Sequence, residues 1–555
     1  MKIQLSKRGS LLLHGRLSDL SNRKATLPKD QAMTHKRRVL TTILFSSFFS
    51  LLLVFQSKIN YSGSIFQRYH KGIFRPFSVK DLVLFVFLFM GWSVFLGTLY
   101  YVISRRIKKR MSTERKQIHR SKICIFWGVT FFSFVIGVLF LLTSYPGTLV
   151  ADSWSSIYQY LGMWKLNNHH PILFTALVGL FLNIGRAMGD YNVGIFLFSI
   201  FQIAIMSVTE GYITSWLYTK CNSMLVAGIT AAYFLFNNIF YTYAIMIQKD
   251  TLFSVCIILL SIRLEKGNWN NNFNRWKMLL LLFAVAFLRN NGLIIDWLIF
   301  FAMICFGREI FPVKLVRDTL IVLLVFSVVQ GPIFNILKLQ TETVESLGVP
   351  IQQIGYVIAD DGELSKRESE FLDKLLPLER WKEQYAPFYV DSTKNNGMNN
   401  EYLSQNIMMF LKTWMGIMRR NVMRYIKAYA LQTYGFWSLG THNDYGFADN
   451  TAPLKGASGT GIYRRNILYE ATGVGFSRFK EVCFPDAGTL FWVFSGCIYL
   501  MLMQGREKYI IIYLPVLFLW ITVMLATPVA FSLRYVFAFA IGLPCFVFYP
   551  FIQID

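Results

Sequence analysis

Asp152 is the first side chain in this apolar sequence that could carry chemistry. It stands in the stretch SYPGTLVADSWSSIYQYL, just after a long apolar run, and is the only acid between Glu114 and Asp190. A lone carboxylate among tyrosines and tryptophans can serve as a general base or as a metal ligand. It can equally cap the N-terminus of a helix that starts here. The two roles are compatible, and the sequence leaves both open.

Two adjacent histidines, His169 and His170, follow in the stretch NNHHPIL. Neighbouring side chains point in different directions, so we expect at most one of them to share a site with Asp152. Pro171 suits the first position of the helix that we predict after them. A polar turn at a membrane interface explains the same residues without any chemistry.

Three later groups of polar residues stand at the ends of apolar runs: the pair Lys249–Asp250, the turn Arg289-Asn290-Asn291, and Arg534. Two carboxylates at the same depth, Asp152 and Asp250, could hold a divalent cation such as Mg²⁺ or Mn²⁺. An arginine can hold a phosphate or pyrophosphate through two hydrogen bonds. The alternatives are a tight hairpin at Lys249–Asp250 and an arginine that snorkels from a helix end to the interface.

The composition places these residues in a membrane protein. Of 555 residues, 54% are hydrophobic and 17% are aromatic, and the mean hydropathy is +0.41. Long apolar runs recur, and a helix of roughly 20 residues crosses a bilayer. Because backbone polar groups in lipid must pair within their own segment, we expect helices and an all-α polytopic membrane protein.

The net charge of +25 is unevenly distributed along the chain. Residues 1–38 carry ten Lys or Arg against two acids, and residues 104–122 carry nine against one, so these stretches supply +16 of the total. Both flank apolar runs, which is the pattern of cytoplasmic segments that meet anionic lipid headgroups. We therefore expect a plasma-membrane protein that contacts anionic lipids, with no nucleic-acid partner.

The apolar runs predict 12 transmembrane helices with both termini in the cytoplasm. We place them at about 39–56, 82–103, 123–143, 192–217, 223–244, 248–264, 276–288, 291–306, 318–338, 488–504, 509–526 and 530–551. A further stretch, 171–184, decides the topology. If it does not cross, the Lys- and Arg-bearing loops 263–277, 307–317 and 505–508 all lie in the cytoplasm with the basic N-terminus. We interpret it as interfacial or re-entrant, although the loop 57–80, with five Lys or Arg, must then lie outside.

This topology divides the chain into five parts. They are a basic cytoplasmic tail (1–38), two accessory helices with a basic cytoplasmic loop (39–122), a transmembrane core (123–338) whose exterior loop 144–191 carries Asp152, a large exterior region (339–487) and the C-terminal transmembrane helices (488–555). The exterior region is nearly neutral, with 17 acidic and 16 basic residues.

Local patterns predict the structure of the exterior region. Residues 363–381 predict a charged helix. Residues 401–436 carry apolar side chains at helical spacing with interleaved basic residues such as Arg419 and Lys427, which predicts a helix on the membrane surface. Residues 440–461 predict an irregular loop. Elsewhere, Glu210 and Asp296 fall inside predicted spans and need a cavity or a polar partner there.

The order of these features resembles that in the GT-C glycosyltransferases, which use polyprenyl-phosphate sugars and include protein O-mannosyltransferases and aminoarabinose transferases. An outward acid follows a transmembrane helix, then come His170-Pro171-Ile172-Leu173, a second outward acid and an outward Arg/Asn-Gly turn. The stretches YPG…ADS…NHHP, KDTLFS and YIKAYALQTYGFW look closest to an uncharacterised GT-C-like membrane protein family of Gram-positive bacteria. The resemblance covers residues 123–551 or so, which leaves the first two predicted spans as an N-terminal addition.

The resemblance implies roles for the matching residues. Asp152 would be the catalytic base that deprotonates the acceptor, and Asp250 the second-loop acid that is sometimes a metal ligand. His170 would stand near the carrier phosphate, where many members have Lys. The chain departs from the family where Ser153, instead of a second acid, follows Asp152, and where His in place of Lys loses a permanent charge.

Two classes of function fit these observations. The first is a bacterial cell-envelope glycosyltransferase that moves a sugar from a polyprenyl-phosphate donor to an exterior glycan, teichoic acid or protein, with inversion in one displacement. The residues that would bind its lipid phosphate are His169, His170, Lys249, Arg289, Asn290, Asn291 and Arg534. The second is a transporter or flippase of a lipid-linked or anionic precursor, which would need Glu210 and Asp296 to line a continuous path. A non-catalytic scaffold for envelope assembly is a further alternative.

Overall fold

The computed structural model describes residues 29–110, 119–265, 269, 271–307, 310–339, 343–441, 459–475, 482–526 and 529–552. Within these ranges every regular element is a helix and no strand forms, so the predicted all-α class is confirmed. Most of the predicted basic tail, most of the predicted loop 440–461 and the predicted turn near 527–529, apart from residue 529, lie outside the described residues.

Twelve helices are present in the described part of the chain before residue 340. They are α1 (Lys29–Lys58), α2 (Val79–Arg110), α3 (His119–Leu142), α4 (Ala151–Tyr160), α5 (Ile172–Ala187), α6 (Tyr191–Cys221), α7 (Met224–Phe236), α8 (Asn238–Ile245), α9 (Lys249–Glu265), α10 (Asn272–Leu288), α11 (Gly292–Phe306) and α12 (Val313–Val328). A π-helical turn that contains Pro332 extends α12 to Ile336, because proline cannot donate to the regular helical ladder.

The second half of the chain begins with a set of shorter helices, which we call the inter-span region (residues 343–475, without 442–458). Its helices are α13 (Gly348–Ala359), α14 (Lys366–Leu375), α15 (Leu378–Gln384), α16 (Asp391–Lys394), α17 (Asn400–Gln405), α18 (Ile407–Arg420), α19 (Val422–Gln432) and α20 (Ile467–Thr472). Three apolar helices follow, namely α21 (Ala487–Met503), α22 (Leu514–Leu525) and α23 (Ala538–Phe548).

Several of these helices are long and apolar enough to cross a bilayer, which confirms a membrane protein. In the described part of the chain five helices qualify, at His35–Lys58, Val79–Arg105, Ser121–Leu142, Tyr191–Cys221 and Val313–Ile336. The pair α7 and α8, bent by 53° at its break, makes a sixth if it is one span. Helices α5, α11, α21, α22 and α23 are apolar but shorter.

Two predicted helices are interrupted at three asparagines, which corrects the sequence-based prediction. The predicted span 223–244 divides at Asn237, and the predicted helix in 401–436 divides at Asn406 and Asn421. Each asparagine amide donates to the carbonyl oxygen four residues earlier, over 2.5, 2.9 and 3.1 Å respectively. At Asn406 and Asn421 the backbone N–H donates to the same carbonyl oxygen, so the side chain adds a second donor to the last helical turn before each break. The predicted helix 363–381 likewise divides, into α14 and α15, around Pro377.

The C-terminal spans are also shorter than predicted. The predicted spans 509–526 and 530–551 contain regular helix only in α22 and α23, and 3₁₀ turns occupy Glu507–Ile512, Leu533–Val536 and Tyr549–Phe551. Arg534 therefore lies in a 3₁₀ turn that precedes α23 and not inside a span.

Both ends of α5 contact the same part of the molecule. Before the helix, the Asn168 N–H donates to the carbonyl oxygen of Leu339 (2.7 Å), just before the inter-span region, and the Nδ1 atom of His169 lies 3.8 Å from the carboxylate of Glu345 within that region. After the helix, the Asn192 side chain donates to the Gly461 carbonyl oxygen (3.1 Å) and accepts from the Tyr463 N–H (3.0 Å). With 16 residues, α5 is about 24 Å long, which is shorter than a bilayer core of about 30 Å.

The basic loop 57–80 contacts the inter-span region as well. The Tyr69 hydroxyl donates to the Asp360 carboxylate, and the Arg68 guanidinium donates to the Glu383 carbonyl oxygen over 2.9 Å. The loop therefore packs against the inter-span region.

The turn between α10 and α11 is unusually tight and positions Arg289. The Gly292 N–H donates to the Arg289 carbonyl oxygen over 2.8 Å. A Cβ atom on Gly292 would lie only 1.8 Å from the carbonyl oxygen of Val285. Only glycine lets α11 begin this close to the last turn of α10, so Gly292 fixes where Arg289 enters the structure.

We predict that Gly292→Ala destabilises the protein by about 1–3 kcal/mol, because the backbone of α10 or α11 must move to admit the methyl group. The measurement is the midpoint temperature at which the detergent-solubilised protein loses its monodisperse chromatographic peak. Gly128→Ala in α3 is the matched control, since nothing lies within 4 Å of its Cβ position. Equal midpoints for the two variants would contradict the packing argument.

Candidate functional site

The beginning of α4 is attached to the segment before α9. The Thr148 N–H donates to the Ile245 carbonyl oxygen (2.9 Å), and the Ile247 N–H donates to the Thr148 carbonyl oxygen (3.0 Å). The Ser153 hydroxyl donates to the Ile247 carbonyl oxygen (2.6 Å) and accepts from the Val150 N–H (3.0 Å). These bonds bring residue 152 next to residue 249, although 97 positions separate them in the sequence.

Asp152 is not the N-cap of α4, which corrects one of the two interpretations of this residue. Val150 holds the N-cap position, and Asp152 lies in the first helical turn. Its carboxylate faces two cations instead. The Oδ2 atom lies 3.2 Å from an Nη atom of Arg534 and 3.8 Å from Nζ of Lys249. Burial favours the neutral acid, but Arg534 and Lys249 outweigh it and hold the pKa of Asp152 well below its usual range.

Asp250 lies one residue after Lys249 and is completely buried in the first turn of α9. Its Oδ1 atom is 3.4 Å from Nε of Arg289, and its Oδ2 atom is 3.9 Å from Nε of Arg534. Both separations exceed an ordinary charge-assisted hydrogen bond. Arg534 therefore stands between the two carboxylates, and we call Asp152, Lys249, Asp250, Arg289 and Arg534 the charged cluster.

Tyr535 fixes both arginines of the charged cluster. Its carbonyl oxygen accepts from Arg289 over 3.0 Å. Its ring lies 5.0 Å from the Arg289 guanidinium carbon and 4.9 Å from that of Arg534. Phe253 covers Arg289 from another side at 5.6 Å. Aromatic faces stabilise partly desolvated guanidinium groups, so the cluster can keep its cations away from bulk water.

The two histidines face different partners, as expected for adjacent positions, and their rings are perpendicular at 4.6 Å. His170 is buried, and its Nδ1 atom lies 3.4 Å from Nζ of Lys249. Burial and the nearby Lys249 lower the pKa of His170 to about 3, so this ring is neutral at physiological pH. Pro171 is the N-cap residue of α5 and not its first helical residue, one position earlier than predicted.

His169 connects the site to the inter-span region through residues that the sequence did not indicate. Its Nδ1 atom lies 3.8 Å from the carboxylate of Glu345. The buried Lys394 pairs with the same carboxylate at 2.8 Å and with Asp391 at 2.9 Å. Burial lowers the pKa of His169, so this histidine is also mostly neutral near pH 7. Glu345 and Lys394 belong to a region rich in charges, where no spacing or motif distinguished them.

Asn290 and Asn291 make structural contacts at the edge of the cluster. Asn290 donates to the Asn168 carbonyl oxygen over 2.8 Å and so joins the turn after α10 to the NNHH loop. Asn291 donates to the Thr522 hydroxyl of α22 over 2.8 Å. These hydrogen bonds restrain the backbone of the turn between α10 and α11 and so help to fix the position of Arg289.

The cluster fits an anion better than a divalent cation. Three cations and two carboxylates meet there, and each carboxylate already faces an arginine. In the described ranges, no three His, Cys, Asp or Glu residues are arranged to hold a metal ion. A divalent metal at Asp152 or Asp250 would be repelled by the adjacent guanidinium groups, whereas a phosphate would be attracted by them.

Glu210 and Asp296 lie apart from the charged cluster. Both are completely buried, and Glu210 accepts a hydrogen bond from the Ser133 hydroxyl. Within the described residues neither acid pairs with a cation of the cluster. The structure therefore brings together the acids at positions 152 and 250 and leaves the acids at 210 and 296 outside the site.

Comparison with known proteins identifies a family. No curated protein and no solved structure matches the chain. One family model matches residues 162–466, which is more than half of the 555 residues. The match includes the histidines, Lys249, Asp250 and the turn at Arg289, and it leaves out Asp152 and Arg534. The chain belongs to the family described as "Family of unknown function (DUF6020)".

Proposed function

We propose that the protein is a membrane glycosyltransferase of the GT-C type. It transfers a sugar from a polyprenyl-phosphate donor to an exterior acceptor of the cell envelope, which is a glycan, a teichoic acid or a protein. The observation that carries this proposal is the pairing of a partly exposed carboxylate, Asp152, with Lys249 and Arg534 beside a second partly buried arginine, Arg289. A base and a set of phosphate-binding cations are the two groups that this transfer needs.

In the proposed reaction Asp152 accepts the proton of the acceptor hydroxyl. The acceptor oxygen attacks the anomeric carbon, the bond from that carbon to the phosphate oxygen breaks, and polyprenyl phosphate leaves with the bonding electrons. Arg534, Lys249 and Arg289 stabilise the negative charge of the leaving phosphate. One base and no carboxylate nucleophile correspond to a single displacement with inversion at the anomeric carbon.

The resting site holds Asp152 in a form that is a weak base, because Arg534 and Lys249 depress its pKa. A bound phosphate would compete with Asp152 for these two cations. The competition would relax both ion pairs, which are 3.2 and 3.8 Å long, and raise the basicity of the carboxylate. Donor binding would thus prepare the base, and the reaction would need no metal ion in the cluster.

Lys249 supplies the positive charge that a neutral histidine at position 170 lacks. Many members of the GT-C family, which this sequence resembles, have a lysine there, and His170 is neutral because burial lowers its pKa to about 3. The ammonium of Lys249, 3.4 Å from the His170 ring, supplies a positive charge at the same place. The neutral ring would orient Lys249 and leave a ring N–H for the phosphate.

We further propose that the cluster lies at the non-cytoplasmic membrane surface and that α5 does not cross. This proposal rests on the contacts of the two ends of α5 with the inter-span region, from His169 to Glu345 and from Asn192 to Gly461 and Tyr463. The loop 57–80 and the inter-span region then face the exterior, and both termini face the cytoplasm. The basic loops described in the sequence remain inside, in agreement with the positive-inside rule.

Asp152→Asn should reduce sugar transfer by about 10²- to 10⁴-fold, because the amide cannot accept the acceptor proton. The assay supplies purified protein with polyprenyl-phosphate sugars and an envelope acceptor fraction. Glu210→Gln is the matched control, since it neutralises a buried acid outside the charged cluster and is expected to retain transfer. Equal transfer by wild type and Asp152→Asn would remove Asp152 from the mechanism, and loss in Glu210→Gln alone would favour a transport function.

The pH profile should respond to Arg534→Gln. The groups facing Asp152 are Arg534, Lys249, His170 and His169, and Arg534 lowers its pKa the most. Without that guanidinium the pKa of Asp152 rises. Because the active base is deprotonated, the acidic limb of kcat/KM moves to higher pH, and KM for the donor increases. Arg420→Gln, which removes a cation paired with Glu368 instead, should leave the limb unchanged. An unshifted limb in Arg534→Gln would contradict the pairing.

Cysteine labelling in intact cells should place both ends of α5 outside. Met163 and Met188 are exposed and flank the helix, so Met163→Cys and Met188→Cys are expected to react with a membrane-impermeant maleimide above the wild-type background. Asn272→Cys, at the exposed start of α10, should react only after permeabilisation. If the two methionine positions label from opposite sides, α5 crosses the membrane and this topology is wrong.

A further inference from the structure

Helices α18 and α19 expose an apolar face that the rest of the inter-span region does not have. Between residues 343 and 441, every exposed large apolar side chain lies on these two helices: Met408, Met409, Leu411, Met415, Val422, Met423 and Ile426. Met408 and Met423 are 65% and 56% exposed, comparable to Val83 (65%) on the apolar span α2. The opposite side of α18 is buried through Phe410, Thr413 and Ile417. The exposed side is therefore a second apolar face and not an unfinished core.

The charges on this face have one sign. Residues 407–436 contain five Lys or Arg and no Asp or Glu. Arg420 and Arg424 point away from this face toward the other helices of the inter-span region, where they pair with Glu368 and Asp360. Lys412 and Arg419 stay exposed at helical spacing among the apolar side chains, and in the described residues no acid pairs with either of them. A strip of methionines and aliphatic residues with basic residues between them is complementary to a lipid surface with anionic headgroups.

The C-terminal end of this helix pair is fixed against apolar helices of the membrane part. The Trp492 indole of α21 donates to the Trp437 carbonyl oxygen over 2.8 Å. The Trp520 indole of α22 donates to the Phe436 carbonyl oxygen over 3.0 Å. Helix α19 ends at Gln432, only a few residues before these contacts. The C-terminal end of the helix pair is therefore attached to the apolar helices of the membrane part.

We propose that this face of α18 and α19 is a membrane-binding surface, whose apolar side chains enter the boundary between headgroups and acyl chains and whose Lys412 and Arg419 contact anionic headgroups. The proposal is independent of the glycosyltransferase activity. Long basic side chains can extend along the apolar surface to the headgroups while their methylene groups remain in contact with lipid. Such a surface would hold the inter-span region close to the bilayer on the side of the charged cluster.

The test uses the full chain in lipid nanodiscs with a nitroxide label at Met415→Cys, after the exposed native cysteines Cys124, Cys305 and Cys483 are replaced by alanine. Collision rates with oxygen, which concentrates in lipid, and with a water-soluble nickel chelate report the surroundings of the label. Lys374→Cys on α14, exposed in the same region, is the matched control. With phosphatidylglycerol present, we expect oxygen to dominate at position 415 and the nickel chelate to dominate at position 374.

The charge dependence is tested with the double variant Lys412→Gln and Arg419→Gln. It should reduce the oxygen preference at position 415 in phosphatidylglycerol discs and leave it unchanged in purely zwitterionic discs. A label at 415 that is as accessible to the nickel chelate as the label at 374 would overturn the proposal. A label shielded from both reagents would also overturn it, because the face would then be covered by protein, such as a second copy of the chain. Equal depth of wild type in both lipid mixtures would overturn the role of the basic residues.

Discussion

The buried carboxylate of Asp250 constrains the rest of the site. A fully buried, unpaired charge costs several kcal/mol, so the fold must bring cations to it. The first turn of α9 supplies part of the compensation, because a helix N-terminus favours a negative charge. The remainder comes from Arg289 after α10 and Arg534 before α23, at 3.4 and 3.9 Å. One acid thereby joins three segments that are far apart in the sequence.

Asp152 and Asp250 share Arg534, so the position of the guanidinium group that faces Asp152 depends on Asp250. Asp250 holds the guanidinium by its Nε side, and the other end of the same group reaches Asp152. The carboxylate of Asp152 is 26% exposed, whereas that of Asp250 is not exposed at all. We infer a division of roles in which Asp250 orients the arginine and Asp152 meets the substrate. In this division the two acids have different roles, whereas the sequence-based interpretation made both of them possible ligands of one metal ion.

The sequence predicted the members of the charged cluster but not their pairing. Asp152, Asp250 and Arg289 stand out because charges are rare beside apolar runs, and a topology that put them on one side was enough to group them. Arg534 between the two acids could not be predicted, since a contact across more than 280 positions leaves no local pattern. We did not predict the interruptions at Asn237 and Asn421, because hydropathy and the spacing of apolar residues take no account of a hydrogen bond from an asparagine side chain to the backbone.

Glu345 connects the inter-span region to the surroundings of the charged cluster. Its carboxylate is held by the buried Lys394 and faces His169, which is the neighbour of His170, whose Nδ1 atom lies 3.4 Å from Nζ of Lys249. A movement of the inter-span region would therefore change the surroundings of Lys249 even without a contact between that region and Asp152. An acceptor large enough to contact this region would alter the same contacts on binding. Under the proposed function, Glu345 is thus placed to couple recognition of the acceptor to the base, although the sequence did not distinguish this residue.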